Sequence, residues 1–575
     1  MRVASDAADA ESLLAAVPGD QRVAVVDARF VGHVHALRLG LTDPRFPASA
    51  VPGAVAAKPE ARTELTRALR ATATTTGGVV THDALPDDIA TALESGTTDV
   101  HRPDLGTLVA TVPDDPQARN EARQAVAAVD DEAVRLRTAV KSRDGFFTTY
   151  CISPYSRYIA RWCARRGLTP NQVTTASLLT ALIAAGCAAT GTRGGFVAAG
   201  VLLLLSFVLD CTDGQLARYS LQYSTLGAWL DATFDRAKEY AYYAGLALGA
   251  ANANGDDVWA LALGAMVLQT CRHVVDFSFN EANHDATANT SPTAALSDKL
   301  DSVGWTVWLR RMIVLPIGER WAMIAVLTAV TTPRITLVVL IIGCALAACY
   351  TTAGRVLRSL TRKATRTDRA AHALADLADN GTLGSAFAAL GRRGRFLPAP
   401  VLAFVGGAAI VAVAAFTSYG SPWVVVAAVV YVVLSGLALA RPLKAPLDWL
   451  VPPFFRAAEY GTVLVLAAKA DVNGALPAAF GLVSAVAYHH YDTVYRIKGG
   501  AGAPPRRLVR AIGGQEGRTL VVALAATLLS TTDFTVALTA LAVAVALVVL
   551  VESIRFWVAA EKKGAPAVHD EGEPA

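Results

Sequence analysis

Apolar and polar positions divide the chain into two unlike parts. Over residues 1–130, short apolar runs alternate with mixed stretches. RVAVVDARF (22–30), GGVVT (77–81) and LGTLVATV (105–112) predict strands, while ARTELTRALRATA and DDIATALES predict helices, the pattern of a small α/β domain. From residue 171 onward the pattern changes. Apolar runs recur at lengths near the roughly 20 residues that carry a helix across a bilayer. Their cores fall near 172–191, 195–212, 225–250, 257–277, 320–333, 335–353, 399–417, 421–440, 454–469, 474–492, 519–531 and 534–556. The expected fold is a polytopic α-helical membrane protein behind a small cytoplasmic α/β domain.

Composition agrees. The 575 residues are 53% hydrophobic and 17% charged, with mean hydropathy +0.39, against about 25% charge in soluble domains. The seven cysteines show no metal-like or disulfide-like spacing, and Cys187, Cys344 and Cys349 lie inside apolar runs as small packing residues. Met1 to Asp20 has no apolar core, so no cleavable signal peptide is expected.

The net charge of +4 matters through its placement. Arginines and lysines gather in alternate loops, among them Arg161/Arg165/Arg166, Arg218, Arg310/Arg311, Arg355/Arg358/Arg362/Lys363, Arg392/Arg393/Arg395, Arg441/Lys444, Arg506/Arg507/Arg510 and Lys562/Lys563. The intervening loops are short and poor in basic residues. The positive-inside rule places both termini in the cytoplasm of a multi-pass protein of the cell (inner or plasma) membrane. Lipid is an expected partner; nucleic acid is not.

Residues 131–170 interleave aromatic residues and arginines. Phe146, Phe147, Tyr150, Tyr155, Tyr158 and Trp162 suit a headgroup layer, and Arg157, Arg161, Arg165 and Arg166 can snorkel to phosphates. Residues 131–170 are expected to form an interfacial amphipathic helix along the cytoplasmic leaflet, with a helix packed on the soluble domain as the alternative. The expected order is then a first membrane domain (171–355), a cytoplasmic helical linker (356–396), a second membrane domain (397–560) and a polar tail (561–575).

The two membrane domains echo one another. WLDATFDRAKEY (229–240) matches WLVPPFFRAAEY (449–460), and RRMIVLPIGER (310–320) parallels RRLVRAIGGQEGR (506–518). Two six-helix halves of the same orientation are expected, with chance likeness between apolar helices as the alternative. Arg236 and Glu239 recur as Arg456 and Glu459, whereas Asp231 and Asp235 become Val451 and Phe455. Residues kept in both halves read as structural, and those confined to the first as chemical. The second half is therefore expected to lack a working site.

The chemistry concentrates in DCTDGQLARYSLQYSTLGAWLDATFD (210–235). Asp210 and Asp213 fall at the cytoplasmic end of one span. Asp231 and Asp235 lie at i, i+4 on the next, on one helix face. Acids in a membrane are costly and are candidate functional groups by default. Four of them from adjacent helices offer carboxylate oxygen for Mg²⁺ or Mn²⁺, which also bind substrate phosphates. An ion-paired helix contact is the structural alternative, with Arg218 and Arg236 as the nearby cations.

The pattern D-x2-D-G-x2-A-R-x8-G-x3-D-x3-D, met by Asp210, Asp213, Gly214, Ala217, Arg218, Gly227, Asp231 and Asp235, resembles the signature of the CDP-alcohol phosphotransferase family, over about residues 170–355. The resemblance implies a CDP-alcohol donor, of CDP-diacylglycerol or CDP-inositol/CDP-glycerol type, and transfer of its phosphoalcohol to an acceptor hydroxyl with release of CMP. It implies metal at Asp210, Asp213 and Asp231, with Asp235 as general base and further ligand. It places Gly214, Ala217, Arg218, Gly227 and Ser224 at the cytidine nucleotide, and TPNQVT (169–174) adds Asn171 and Thr174. The acceptor would be an inositol or glycerol phosphate, with Arg310, Arg311, Arg320 and Arg355 as candidates for its phosphate; simple positive-inside loop charges explain them equally well.

The stretch DGFFTTYCISPYSRYIARWCARRGLTPN resembles the junction of fused enzymes of the di-myo-inositol phosphate phosphate synthase group, where a nucleotidyltransferase precedes the membrane domain. The front domain here lacks that enzyme's G-x-G-T-R loop, so it reads as a degenerate remnant that docks or regulates. A transporter of two parallel six-helix repeats is the alternative from another class, although it has no need of the aspartate spacing. The sequence leaves a homodimer open.

Overall fold

The computed structural model describes residues 2–75, 85–96, 98–141, 144–284, 287–290, 313–361, 363–394 and 397–562. The front domain is α/β. Its sheet runs Val23–Val26, Ala54–Ala57, Ala48–Val51, Val100–His101, antiparallel except for the last pair. Helices cover it through Leu65, Leu69, Ile89 and Leu93, which close a core on Val55. The predicted strand at 22–30 shortens to Val23–Val26, and that at 105–112 to Ala110–Thr111, paired with Val31–Gly32. The run 77–81 lies outside the described residues. The hairpin of Ala48–Val51 and Ala54–Ala57 escaped the sequence reading, because its runs ASAV and AVAA are alanine-rich and buried at every position rather than alternating. Its turn signal was present in Pro52–Gly53, where Gly53 has φ +77°.

A juxtamembrane helix α1 (Ser153–Arg165) then leads into α2 (Pro170–Ala189), α3 (Arg193–Ser220), α4 (Thr225–Asn254), α5 (Trp259–Asn283), α6 (Ile317–Val330) and α7 (Pro333–Thr361). The linker forms α8 (Asp368–Leu377) and α9 (Thr382–Gly391). The second set is α10 (Ala399–Phe416), α11 (Pro422–Ala438), α12 (Val451–Ala470), α13 (Ala475–Lys498), α14 (Gly514–Leu528) and α15 (Thr531–Lys562).

A helix thus stands at the position of every predicted span. Among the described residues, five are long and apolar enough to cross a membrane: α2, α3, α7, α10 and α15. The others depart for two reasons. Helices α6, α11 and α14 have only 14, 17 and 15 residues. Helices α4, α5, α12 and α13 carry buried charged side chains, among them Lys238, Arg272, Arg456 and Arg496.

Local sequence sets the helix starts. Thr169 and Gln172 form a reciprocal capping box ahead of α2, with Pro170 in the first turn. Ser224 caps α4 by accepting from the Gly227 N–H at 2.8 Å. Small residues set the packing. A Cβ on Gly245 or Gly249 would collide with the backbone of Ala185 or Ala188, so α4 lies directly on α2.

Each set packs in the same way: α2 on α3 and α4, α6 on α3; and α10 on α11 and α12, α14 on α11. The sets meet where α5 touches α12 and α13, and where α4 touches α13 and α15. On α1, Tyr155, Tyr158 and Trp162 are exposed while Ser156, Ala160 and Cys163 are buried. The helix is amphipathic, with its aromatic face outward. Phe147, read as a headgroup residue, instead packs inward, 6.3 Å from the Phe207 ring.

Candidate active site

The acid-bearing segment folds as the end of α3, a turn and the start of α4. Leu221, with φ +54°, ends α3 in the left-handed conformation, and Ser224 starts α4 three residues later. The reversal brings both acid pairs to one cavity of about 410 Å³.

Oxygens of Asp210, Asp231 and Asp235 lie within 4.8 Å of one another. Asp213 lines the same cavity, and its buried Oδ2 has no hydrogen-bond partner. A set of hard oxygens with one orphaned carboxylate oxygen fits a divalent cation. All the residues assigned to the nucleotide by the sequence also line this cavity: Asn171, Thr174, Gly214, Ala217, Arg218, Ser224 and Gly227. Gly227 is needed for close approach, since a Cβ there would stand 2.6 Å from Asn171 Oδ1 and 2.8 Å from Ser224 Oγ.

Lys238 was missed. Its ammonium is fully buried, 2.8 Å from Asp235 Oδ1, and also bonds Asp210 and the Ser177 hydroxyl (3.2 Å). The acids therefore have a third nearby cation besides Arg218 and Arg236. The signal was available, because Lys238 follows Asp235 by three residues and Asp231 by seven, on the same helix face. Its ion pairs hold Asp210 and Asp235 in fixed orientations.

The loop between the acid pairs is held from outside the membrane domain. Arg135 Nε donates to Tyr219 O at 2.7 Å and its guanidinium lies 3.7 Å from the Tyr219 ring centroid. Arg38 donates to Ser220 O at 3.3 Å, and Arg45 stacks on Tyr223. Arg218 Nε donates to Ala139 O at 2.6 Å. From the other end of the chain, Glu561 accepts from the Leu226 N–H at 3.0 Å, and Trp557 stacks on Trp229.

The four arginines considered for an acceptor phosphate are placed elsewhere or undescribed. Arg310 and Arg311 lie outside the described residues. Arg320 is buried, 3.0 Å from Glu239, and Arg355 pairs with Asp276; neither lines the cavity. Glu239 also takes Arg236 at 2.8 Å and the Tyr243 hydroxyl at 2.6 Å.

The second set holds a matching knot of charge. Glu459 takes Arg456 at 2.9 Å and Arg518 at 2.6 Å. The linker adds Asp379, which accepts from Arg456 (3.1 Å), Arg518 (2.6 Å) and His489 (3.1 Å). Two further parallels stand out, the first of them missed in the sequence. His273-x-x-Asp276 on α5 recurs as His489-x-x-Asp492 on α13. The Phe147 N–H donates to Glu319 on α6 at 3.2 Å, much as the Gly381 and Gly384 N–H groups donate to Glu516 on α14 at 3.0 and 2.9 Å. Glu319 and Glu516 lie inside the paired runs 310–320 and 506–518, but only the contacts show that both accept backbone N–H groups; the His-x-x-Asp pair stands in the sequence and went unread.

A family model for CDP-alcohol phosphatidyltransferase matches residues 167–349, the stretch that holds Asp210, Asp213, Asp231 and Asp235. This membrane domain belongs to the CDP-alcohol phosphatidyltransferase family. A second model, for a family of unknown function (DUF5941), matches residues 368–575. Curated relatives resemble part of this chain. The bifunctional IPC transferase and DIPP synthase of Thermococcus kodakarensis is 34% identical over 22% of this chain and 27% of its own length. The phosphatidylinositol phosphate synthase of Streptomyces avermitilis is 32% identical over 22% of this chain and 51% of its own length. The archaetidylinositol phosphate synthase of Pyrococcus horikoshii is 35% identical over 16% of this chain and 47% of its own length. The chain thus spans between about a quarter and about half of these relatives.

Proposed function

We propose that this protein transfers a phosphoalcohol from a CDP-alcohol to an acceptor hydroxyl and releases CMP, at a single site in its first membrane half. The convergence of Asp210, Asp231 and Asp235 within 4.8 Å carries this reading, because it occurs in the one cavity that the nucleotide motif also lines. Asn171, Thr174, Gly214, Ala217, Arg218, Ser224 and Gly227 bind the cytidine diphosphate. Asp235 accepts the proton of the acceptor hydroxyl. The hydroxyl oxygen bonds to the β-phosphorus as the bond to the CMP oxygen breaks. Asp210, Asp213, Asp231 and Asp235 would hold Mg²⁺ or Mn²⁺, which supplies charge neutralisation at the pyrophosphate. Lys238 orients the two acids it pairs with.

The acceptor in this reading is an inositol phosphate, as the names of the relatives suggest, and the product is a phospholipid or a soluble phosphodiester. In this reading the two six-helix halves run parallel, and their basic loops favour a cytoplasmic site and cytoplasmic termini. The reading needs no second copy of the chain, since both halves of one chain line the cavity. The front domain acts as a clamp on the loop at 219–223. The test is CMP release by the purified protein, across a panel of CDP-alcohols and hydroxyl acceptors, with Mg²⁺ or with chelator. CMP release with Mg²⁺ for at least one pair, and none with chelator, is expected. No CMP from any pair would overturn the proposal.

A further inference from the structure

The catalytic cavity is not built from the first half alone. Tyr491, Tyr495 and Lys498 of α13, in the second half, line it together with the aspartates. Their spacing of i, i+4 and i+7 puts them on one helix face. The helix is seated against the acid-bearing one: the Arg236 guanidinium lies 5.3 Å from the Tyr491 ring centroid, and the Tyr491 ring is 4.4 Å from that of His273, another lining residue.

Among the described residues, the first half makes no matching contribution. A second cavity, of about 260 Å³, lies beneath the linker and is lined by linker and second-half residues alone, His489 and Arg506 among them. Aligning α5 with α13 on their shared His-x-x-Asp sets Val275, Phe279 and Ala282 opposite Tyr491, Tyr495 and Lys498. So α13 has polar groups where α5 has apolar ones, and they line the other half's cavity. The second half lacks counterparts of Asp231 and Asp235, yet carries hydroxyl and ammonium donors into the site that has them.

We infer that Lys498 and Tyr495 bind a phosphate group of a substrate in the first half's cavity; this rests on the phosphoalcohol-transfer reading. The aspartates repel a bare phosphate. Lys498 is an exposed residue of the cavity lining; its ammonium is a compact positive charge suited to phosphate, and the Tyr495 phenol is a hydrogen-bond donor. The phosphate belongs either to the donor's pyrophosphate or to a phosphorylated acceptor.

Equilibrium binding to the full chain in lipid nanodiscs, with Mg²⁺, separates the two sources. The probes are CDP and myo-inositol 1-phosphate. Lys498→Ala is expected to weaken one of them at least fivefold, with an unchanged melting temperature, and Lys498→Arg to stay within twofold of wild type. The probe that weakens names the phosphate. Tyr495→Phe is expected to weaken the same probe by a smaller factor. Wild-type affinity of Lys498→Ala for both probes, or binding of neither by the wild type, would overturn the inference. Binding without CMP release from any donor would remove the transferase reading and leave this one standing.

Discussion

The two membrane halves share a charge knot and differ in what surrounds it. In the first, Arg236, Glu239 and Arg320 close one another beside a cavity containing four aspartates. In the second, Arg456, Glu459 and Arg518 do the same, but Val451 and Phe455 stand where two of the aspartates would be, and Asp379 of the linker enters to complete the knot. On the proposed function, the shared part serves the fold and the unshared part the chemistry. Removing one partner from a buried ion cluster strands a charge, whereas acids gathered without a cation only add repulsion.

The comparison can be broken in graded steps. The largest effect is expected from the acids: Asp231→Asn should lower CMP release by at least ~100-fold while the protein still folds, as loss of a ligand to a charge-stabilising ion implies. Retained release would remove this residue from the site. Next are the knots. Arg518→Met and Arg320→Met should each destabilise the protein by about 3–5 kcal/mol, read by thermal or denaturant unfolding in detergent, because each leaves a buried glutamate short of a partner. If Arg320→Met kept full stability and raised the KM for a phosphorylated acceptor, the residue would belong to the acceptor site and not the fold.

Lys238 distinguishes the halves in another way, since its counterpart in the aligned text is Ala458. Lys238→Met removes a positive charge from Asp210 and Asp235, so Mn²⁺ should bind several-fold tighter in a titration, by the Coulomb argument. Weaker Mn²⁺ binding would show that the ammonium's orienting of the two carboxylates outweighs its charge. The smallest effect is expected at Gly227→Ala. Its Cβ would press on Asn171 and Ser224, at about 1–3 kcal/mol for overpacking, and the KM for the CDP-alcohol should rise with little change in kcat.

Much of this was legible in the sequence. Helix positions followed from apolar run length, and the site from one dense motif whose residues are close along the chain. Residues from far along the chain were not legible. Lys238 was overlooked because lysine in a helical run reads as solvated. Tyr491, Tyr495 and Lys498 lie more than 250 positions from the aspartates, and no spacing rule connects them. Arg320 stood out as a basic residue at a span's end, but its role is set by Glu239, 81 residues away. The hairpin of the front domain was hidden by small residues buried on both faces.

The central claim is that one constellation of aspartates, in one half, performs the transfer. CMP release by purified Asp235→Asn, beside wild type with the same donor, acceptor and Mg²⁺, tests it most directly. A fall of about 10²–10⁴-fold, the range for loss of a general base, with the fold and nucleotide binding intact, is the predicted result. Release at the wild-type rate would contradict the account.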